Sequence, residues 1–240
     1  MMKDEVVTRL VALNRDFYRE LADPFAESRL TPQPGFARLL AYLPAEGARA
    51  LDVGCGNGRF GHFLLQSRPM QYTGVDFSAE LLAKAQDLLP AAQFWQRDMG
   101  QAGFLHDLGP FDVVACLAAM QHIPGYANRL RLLREMAGKM GENGRLFLSN
   151  WQFMDSERQR RKVRGWSEIG LTDADVEPGD YLLTWQRSGF GLRYAAQIDA
   201  AETARLADEA ELRIIGQFRS DGKEGDLSLY TILEKRTEAC

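Results

Sequence analysis

The sequence predicts an α/β fold with a central parallel sheet, on the basis of three observations. Short apolar stretches alternate with amphipathic segments from residue 48 to residue 150. Glycine occupies every second position from 54 to 58, directly after the first apolar stretch. Two strand-like stretches, residues 212–218 and 227–233, flank a glycine-containing turn near the end of the chain. Alternation of strands and helices predicts a parallel sheet with right-handed crossovers, and the last pair predicts an antiparallel hairpin.

Residues 1–44 predict two helices ahead of the sheet. Apolar residues recur at helical spacing over 4–22, which predicts an amphipathic helix. Residues 34–43 predict a second helix, because a proline in the first turn loses no hydrogen bond. We expect this segment to cover a ligand as a lid, with Tyr18 and Arg29 facing it, although such an apolar stripe is also typical of plain packing.

Residues 45–150 predict the core of the sheet. Strands are predicted near 48–53, 71–76, 92–97, 111–117 and 143–150. Helices are predicted near 58–67, 78–89 and 126–139. The stretch 113–120 is apolar throughout, as is typical of a central strand covered on both faces. We therefore expect His122, just beyond its carboxyl end, to face the ligand crevice of the sheet.

The rest of the chain completes a single domain over residues 1–240. Residues 151–198 mix aromatic residues with glycines and polar residues and show no sustained period. We interpret this segment as an insertion on the substrate side. Residues 199–240 predict a helix followed by the closing hairpin.

The stretch from residue 50 to 58 predicts a nucleotide-binding turn. A strand that turns into a helix needs positive φ, and a ligand that lies on the backbone leaves no room for a Cβ. Asp52 stands inside the turn, and Asp76 ends the next strand, where an acid can accept hydrogen bonds from ribose hydroxyls. A dinucleotide site has its third glycine where Arg59 stands here. S-adenosylmethionine (SAM), which has no phosphates, therefore fits better.

With these features the chain resembles the class I SAM-dependent methyltransferases, whose first motif D/E-x-G-x-G-x-G is matched by residues 52–58. The resemblance implies a Rossmann-like seven-stranded sheet with a C-terminal antiparallel hairpin, and S-adenosylhomocysteine (SAH) as product. It implies Asp76 at the ribose, Asp98 and Met99 at the adenine, and Arg29 at the SAM carboxylate. The full set of implied cofactor residues is Arg29, Asp52, Gly54, Gly56, Asn57, Asp76, Phe77, Ser78, Asp98, Met99 and Leu117.

Beyond the core, the chain is similar to the tRNA wobble-uridine methyltransferases that esterify 5-carboxymethyluridine. In the N-terminal segment, Phe25, Arg29, Pro32 and Pro34 match the family pattern F-S-x-T-R-x-x-P-W-P. Residues 148–151 match a family strand that ends in tryptophan, and residues 180–185 match the family motif D-x-x-x-P-W. Residues 229–235 match the family's closing motif V-I-L-E-K. Three motifs depart from that family. Gln33 replaces a tryptophan, R-Y-Y-H reads Arg193-Tyr194-Ala195-Ala196, and H-H reads Gln121-His122.

The resemblance implies an acceptor side formed by Arg29, Trp151, Trp185, Arg193 and Tyr194, and we expect Tyr18 of the lid to bind the substrate as well. Methyl transfer from a sulfonium is an in-line displacement, so the enzyme chiefly positions the two reactants. A carboxylate acceptor is ionised at pH 7 and needs no general base, and Arg193 is the candidate to hold it. A phenol or ring nitrogen would need a base, for which His122 is the candidate. His122 is equally consistent with a ring that packs under the cofactor and bonds to the backbone.

A run of five cations, Arg158, Arg160, Arg161, Lys162 and Arg164, lies among aromatic residues and suits a single-stranded RNA loop. The alternative is a solvated face balanced by Asp155, Glu157 and Glu168. Arg129, Arg131 and Arg134 are likewise interpreted as a solvated face. The net charge of −4 argues against a protein whose whole surface binds nucleic acid.

Composition sets further expectations. The 240 residues are 45% hydrophobic and 26% charged, enough for one sizeable core. The three cysteines lack metal-ligand spacing, so we expect no metal and a reducing, cytoplasmic setting. The N-terminus carries acids, and no apolar run approaches the ~20 residues of a membrane span, so we expect a soluble protein.

Three functions remain open at this point. The first is methyl transfer from SAM to the carboxylate of a modified wobble uridine in a tRNA anticodon loop. The second is methylation of a small molecule at oxygen or nitrogen. The third is a non-catalytic protein of the same fold that acts as a binding partner. Eukaryotic members of the resembled family work with a small activating protein, and nothing in this sequence indicates whether one is needed.

Overall fold

The computed structural model describes residues 2–23, 31–44, 47–186 and 190–236. Its strands are β1 (Arg49–Val53), β2 (Gln71–Asp76), β3 (Gln93–Gln96), β4 (Phe111–Leu117), β5 (Met140–Trp151), β6 (Val163–Arg164), β7 (Asp180–Trp185), β8 (Gly191–Ala196), β9 (Leu212–Ser220) and β10 (Ser228–Lys235). Its helices are α1 (Asp4–Glu20), α2 (Pro34–Leu39), α3 (Arg59–Ser67), α4 (Ala79–Leu88), α5 (Tyr126–Gly138), α6 (Glu157–Arg160) and α7 (Ala200–Glu209).

Seven of these strands form one sheet in the order β3-β2-β1-β4-β5-β10-β9. Strands β1 to β5 run parallel, and β10 is antiparallel to both β5 and β9. The predicted fold class, a seven-stranded sheet that ends in an antiparallel hairpin, is therefore confirmed. The strand order reverses between β1 and β4, so the crevice at this switch point lies beyond the carboxyl ends of those strands.

The central strands are buried on both faces, as their continuous apolar character predicts. One face of β4 presents Val114 and Cys116 to a cluster that includes α5 and α7. The opposite face presents Val113 and Ala115 to a second cluster, which includes Phe36 of α2. Two covered faces leave the strand ends as the accessible part of the sheet.

Residues 151–198 contain a second, three-stranded antiparallel sheet in the order β6-β7-β8. Leu182 and Tyr194 point into the main core, while Leu183 and Ala195 pack with Trp151 on the other face. The sequence pattern predicts no strand here. Burial on both faces explains this, because it removes the polar and apolar alternation that marks a half-exposed strand.

Helix α1 is held against this second sheet by a buried asparagine. The Asn14 side chain donates from Nδ2 to the carbonyl oxygens of His122 (3.1 Å) and Tyr194 (3.2 Å), and its Oδ1 accepts from Tyr194 N–H (2.8 Å). One side chain thereby joins three segments that are far apart in sequence. The helix is a fixed wall of the crevice in this structure.

Arg129 is buried, which corrects its interpretation as part of a mostly solvated face on α5. Its side chain is 2% exposed, and its Nε donates to Glu202 at 2.8 Å. Its Nη1 lies 3.3 Å from the Tyr194 hydroxyl oxygen, and Asp180 and Glu177 lie within 4.0 Å. The helical spacing of the cations does not distinguish this buried ion cluster from a solvated face.

Among the described residues, no helix is both long and apolar enough to cross a membrane.

Candidate active site

The glycine turn after β1 forms the floor of a cleft at the strand switch point. Gly54 has φ of +74°, and a Cβ built on it would lie 2.6 Å from the Ala119 Cβ. The N–H groups of Gly54 and Cys55 donate to the Val75 carbonyl at 2.8 and 3.1 Å. The turn is thus held against β2, and only glycine fits at position 54.

Asp76 at the end of β2 points into the same cleft. Its Oδ2 accepts from Gly56 N–H at 2.9 Å and its Oδ1 from Ser78 N–H at 3.0 Å. A carboxylate offers about four lone-pair sites, so each oxygen keeps one for a further donor. Burial raises the pKa of Asp76, while the backbone donors act in the opposite direction. This geometry suits two adjacent hydroxyl donors, such as those of a ribose.

Asp52 lies deeper and is bonded to the neighbouring strand. Its Oδ2 accepts from the Tyr72 hydroxyl at 2.7 Å. Burial raises the pKa of Asp52 to about 7, and the nearby Asp76 acts in the same direction. Asp52 therefore lines the cleft as a carboxyl group that titrates near neutral pH.

The opposite end of the cleft is formed by Phe77, Asp98 and Met99. The Asp98 Oδ1 accepts from Gly100 N–H at 2.8 Å, and its Oδ2 forms an ion pair with Arg15 of α1. Two apolar side chains beside a carboxylate suit an adenine ring and its amino group. Arg15 brings α1 into contact with this end of the cleft.

The cleft is open at its mouth, and its empty volume, open solvent included, is about 1080 Å³. It brings together most of the predicted cofactor residues. Those that line it are Asp52, Gly54, Gly56, Asn57, Asp76, Phe77, Asp98, Met99 and Leu117. Ser78 instead caps α4, where its Oγ accepts from Leu81 N–H at 3.2 Å. The prediction for Arg29, like that for Phe25, lies outside the described residues.

The end of β4 places His122 at the far wall of the cleft. Ala118 has a positive φ of 55° and turns the chain into the 3₁₀ turn Met120–His122. His122 Nδ1 lies 2.9 Å from the Tyr194 carbonyl oxygen, which can only accept, so Nδ1 carries the proton. His122 Nε2 lies 2.9 Å from the Tyr18 hydroxyl. Both ring nitrogens are therefore engaged, and in the neutral ring Tyr18 donates to Nε2.

Arg193 of β8 approaches this wall from the second sheet. Its Cζ lies 4.6 Å from the centroid of the Trp151 ring and 5.1 Å from that of Phe17. It hydrogen bonds to the Tyr18 side chain, and burial lowers its pKa. Its Nε and Nη1 are buried and have no partner among the described residues. Trp151, which lines the cleft, links Arg193 to the cofactor end.

Two predicted acceptor residues lie away from the cleft. The Tyr194 hydroxyl is fully buried and donates to Asp180 Oδ1 at 2.6 Å, beside Arg129. Trp185 packs edge-on against Phe17, with ring centroids 5.8 Å apart. The structure therefore places both residues beneath the acceptor wall, whereas Tyr18 and Trp151 are on it.

The run of cations at 158–164 contains two kinds of side chain. Arg161 pairs with Glu157 and Arg164 with Glu168, each at 2.6 Å, as expected for a solvated face. Within the described residues, Arg158 and Lys162 make no such ion pair. The interpretation as a solvated face therefore fits Arg161 and Arg164, and the contact with a single-stranded RNA loop stays a prediction.

Four polar residues of the described cleft lining were not predicted as site residues from the sequence: Asn14, Arg15, Gln33 and Arg59. Val11, Asn14, Arg15 and Tyr18 follow the i, i+3, i+4, i+7 spacing of one helix face. Polar residues inside an apolar stripe are the signal that identifies this face. Arg59 begins α3 at the glycine turn, and burial lowers its pKa.

Comparisons with known proteins agree with this geometry. Residues 51–146 match the family model described as a methyltransferase domain. A trans-aconitate 2-methyltransferase from Methylobacterium nodulans is 36% identical over 116 residues, 47% of this chain and 43% of that protein. A tRNA (carboxymethyluridine(34)-5-O)-methyltransferase from Saccharomyces cerevisiae is 26% identical over 152 residues, 63% of this chain and 52% of that protein. The alignments therefore span about half the length of these relatives.

The fold is also found in solved structures. Magnesium protoporphyrin IX methyltransferase from Synechocystis, with bound SAH, superposes with a TM-score of 0.66 at 18% identity, covering 94% of this chain and 99% of that one. The fold and the strand-tip cleft are those of SAM-dependent methyltransferases, and residues 51–146 match a methyltransferase domain. The residues present fit SAM, because Asp76 keeps acceptor sites for ribose hydroxyls and Gly54 leaves no space for a side chain.

Proposed function

We propose that this protein transfers the methyl group of SAM to a carboxylate oxygen of its acceptor. The observation that supports this most strongly is the Arg193 side chain, which is 7% exposed and keeps two buried N–H groups unpaired among the described residues. A buried charge without a counter-ion is costly, and guanidinium groups match carboxylates in geometry. A carboxylate acceptor would supply the missing partner at this wall.

The hydrogen bonds of His122 also favour an acceptor that is already ionised. A carboxylic acid has a pKa of about 4, so it is an anion at pH 7 and needs no base. A phenol or amine acceptor would need a lone pair to take its proton. The Tyr18 hydroxyl and the Tyr194 carbonyl engage both nitrogens of His122.

The chain's own residues then act mainly by positioning. SAM, when bound, supplies an electrophilic methyl group. Asp76 and the glycine turn fix the cofactor end, and Arg193 fixes the acceptor end beside Trp151. Holding two reactants in line is worth up to ~7–11 kcal/mol of the barrier, so no covalent intermediate with the protein is required.

For the identity of the acceptor, we favour a carboxymethylated wobble uridine in a tRNA anticodon loop. Support comes from the similarity to the Saccharomyces cerevisiae enzyme and from the matching segments 148–151, 180–185 and 229–235. The exposed cations near Trp151 suit the phosphates of a single strand. Ala195 and Ala196 replace a tyrosine and a histidine of the resembled family.

A small carboxylate acceptor is the second candidate. It is favoured by the 36% identity to the trans-aconitate enzyme, by the net charge of −4, and by the glutamate partners of Arg161 and Arg164. Aconitate and carboxymethyluridine both carry carboxylates, so the proposed role of Arg193 is the same for either acceptor.

The test of carboxylate methylation is the stability of the product to base. The purified protein is incubated with SAM labelled in the methyl group and with either bulk tRNA or a mixture of small carboxylic acids. A methyl ester releases labelled methanol in mild alkali, whereas methyl ethers and N-methyl groups do not. Label that resists alkali would contradict the proposal. Activity of the chain alone would show that no activating protein is needed.

The acceptor class is tested separately by nucleoside mass spectrometry of tRNA from cells with and without the gene. Loss of a methyl-esterified uridine on deletion supports the tRNA assignment. An unchanged profile together with turnover on a small acid supports the second candidate. Absence of turnover on every acceptor, with SAM still bound, would support a non-catalytic binding protein instead.

A further inference from the structure

The half of the cleft at the glycine turn carries a cation to which the proposed function gives no role. Arg59 is the first residue of α3, and its side chain lines the cleft. Asp76 accepts from Gly56 N–H at 2.9 Å, and Arg59 follows Gly56 by three residues. The proposed ribose site and the Arg59 side chain therefore lie at the two ends of one turn.

Arg59 makes no ion pair with the acidic groups around it in the part of the chain that the structure describes. Tyr230, Asp221 and Asp52 are close enough to affect its pKa, but each has another partner. The Tyr230 hydroxyl donates to Asp221 Oδ2 at 2.7 Å, and Gly35 N–H donates to Asp221 Oδ1 at 2.9 Å. Asp52 accepts from a tyrosine hydroxyl at 2.7 Å. Burial raises the pKa of Tyr230, so this phenol is neutral. The charge of Arg59 is therefore left without a counter-ion at the cleft wall.

The start of α3 adds to this positive charge. Gly58 provides no side-chain cap, and the first turn of the helix contains no acid. The free N–H groups of a first helical turn carry a partial positive charge and favour an anion. The half-buried Arg59 side chain lies with its Cζ 5.6 Å from the centroid of the Phe36 ring, and its Nη1 reaches the Thr31 carbonyl at 3.5 Å. Neither contact supplies a negative charge, whereas an anionic group of a ligand in the cleft would.

We propose that Arg59 binds the carboxylate of the methionyl group of SAM. With the ribose hydroxyls at Asp76, the methionyl group extends along the glycine turn towards α3, and a guanidinium group matches a carboxylate in geometry. The resemblance implies Arg29 for this role, a residue outside the described ranges. The inference rests on the proposed function only for SAM as the methyl donor, and it is independent of the acceptor and of Arg193.

The experiment measures binding, so that it does not depend on methyl transfer. Isothermal titration compares SAH with decarboxylated SAH, which keeps the amino group and lacks only the carboxylate. The proteins are the wild type, Arg59→Met, Arg59→Lys and Arg38→Met. Methionine keeps an apolar stem beside Phe36 without the charge, and lysine keeps the charge without the planar fork. Arg38 is the matched control, because its Cζ lies 3.8 Å from the centroid of the Phe218 ring but its side chain is exposed and is not among the described residues that line the cleft.

For the wild type we expect SAH to bind at least tenfold more tightly than decarboxylated SAH, the effect of a charge-assisted hydrogen bond. Arg59→Met should bind SAH about tenfold more weakly than the wild type does. The same variant should bind decarboxylated SAH within about twofold of the wild type, so that the preference for SAH nearly vanishes. Arg59→Lys should keep part of the preference, and Arg38→Met should match the wild type for both ligands.

An unchanged preference for SAH in Arg59→Met would overturn the inference and leave the carboxylate to another cation, such as Arg29. Equal losses of both ligands in Arg59→Met and Arg59→Lys would also overturn it, because the loss would then not depend on the carboxylate. If Arg59→Met does not fold, a reduced preference for SAH in Arg59→Lys supports the inference, and an unchanged preference contradicts it.

The same titrations separate this inference from the proposed function. Failure of the wild type to bind either ligand would refute SAM as the methyl donor and this inference with it. Loss of the preference for SAH in Arg59→Met, together with a methylated product that resists alkali, would uphold the role of Arg59 and refute carboxylate methylation.

Discussion

The half of the cleft at the glycine turn and the half at Trp151 differ in how the chain places their polar groups. At the turn, consecutive residues after β1 and β2 supply backbone N–H groups, and Asp76 accepts two of them. At Trp151, the groups come from α1, the end of β4 and β8, and side-chain hydrogen bonds join them. The first half is built from local backbone, the second from long-range side-chain contacts.

This difference has a functional consequence. We propose that the backbone of the first half binds a feature that does not vary, the nucleoside of SAM. In the second half, Arg193 is carried by the small β6-β7-β8 sheet, so it can be exchanged without altering a strand of the main sheet. Variants in the two halves should therefore separate cofactor binding from acceptor use.

The largest difference between the effect on acceptor use and the effect on cofactor binding is expected for Arg193→Met. Truncating one partner of a buried charge pair costs about 2–5 kcal/mol, so kcat/KM for methyl transfer should fall by about 30-fold or more. SAM affinity should stay within twofold of the wild type, because Arg193 is outside the cofactor end. Steady-state kinetics and isothermal titration measure the two quantities, and Arg161→Gln is the control. Parallel losses of both would contradict the separation of the halves.

Asp76→Ala, in contrast, is expected to weaken cofactor binding. Charge-assisted hydrogen bonds are worth about 1.5–3 kcal/mol, so the dissociation constant for SAH should rise at least tenfold. Asp87→Asn, on the exposed face of α4, removes the same charge and should have no effect. Undiminished affinity in Asp76→Ala would refute the ribose assignment.

Asp52→Asn tests the half of the cleft at the glycine turn through the pH dependence of the free energy of unfolding. Burial raises the pKa of Asp52 from 3.8 to about 7, so between these values the folded state keeps a proton that the unfolded state has lost. The free energy of unfolding should therefore decrease as pH rises from about 4 to 7. Asparagine keeps the acceptor for Tyr72 and removes the titration, so the variant should gain relative stability over that window. Identical pH profiles in urea unfolding of the two proteins would contradict this.

The smallest effect is expected for Arg15→Gln. Its ion pair with Asp98 is partly exposed, and such pairs are worth less than about 1 kcal/mol. The dissociation constant for SAH should rise less than fivefold, and the difference should vanish at 1 M salt. A tenfold change that persists at high salt would show that Arg15 contacts the cofactor directly.

The sequence predicts the first half of the cleft well for a physical reason. Strand alternation and the glycine turn are local patterns, and they fix the relative positions of Gly54 and Asp76 once the sheet forms. The hairpin at β9 and β10 and the crossover helices follow from the same kind of pattern. Arg15 and Asn14 were not predicted, because an apolar stripe shows which face of a helix is buried but not which part of the molecule that face contacts.

The second half depends on contacts between distant residues, which a single sequence does not reveal. Arg193 and Trp151 were predicted from a resemblance, and the structure brings them together. Tyr194 came from the same resemblance but points away from the wall, since it is the neighbour of Arg193 and neighbours in a strand point to opposite faces. Trp185 also came from it and packs against Phe17 instead of lining the cleft. The buried cluster around Arg129 has no local signature at all.

The most direct test of the account is a crystal structure of the protein with SAH. We expect the ribose hydroxyls within about 3 Å of the Asp76 oxygens, the adenine beside Phe77 and Met99, and the sulfur facing Trp151 and Arg193. A ribose placed away from Asp76, or a sulfur that points away from Arg193, would contradict it.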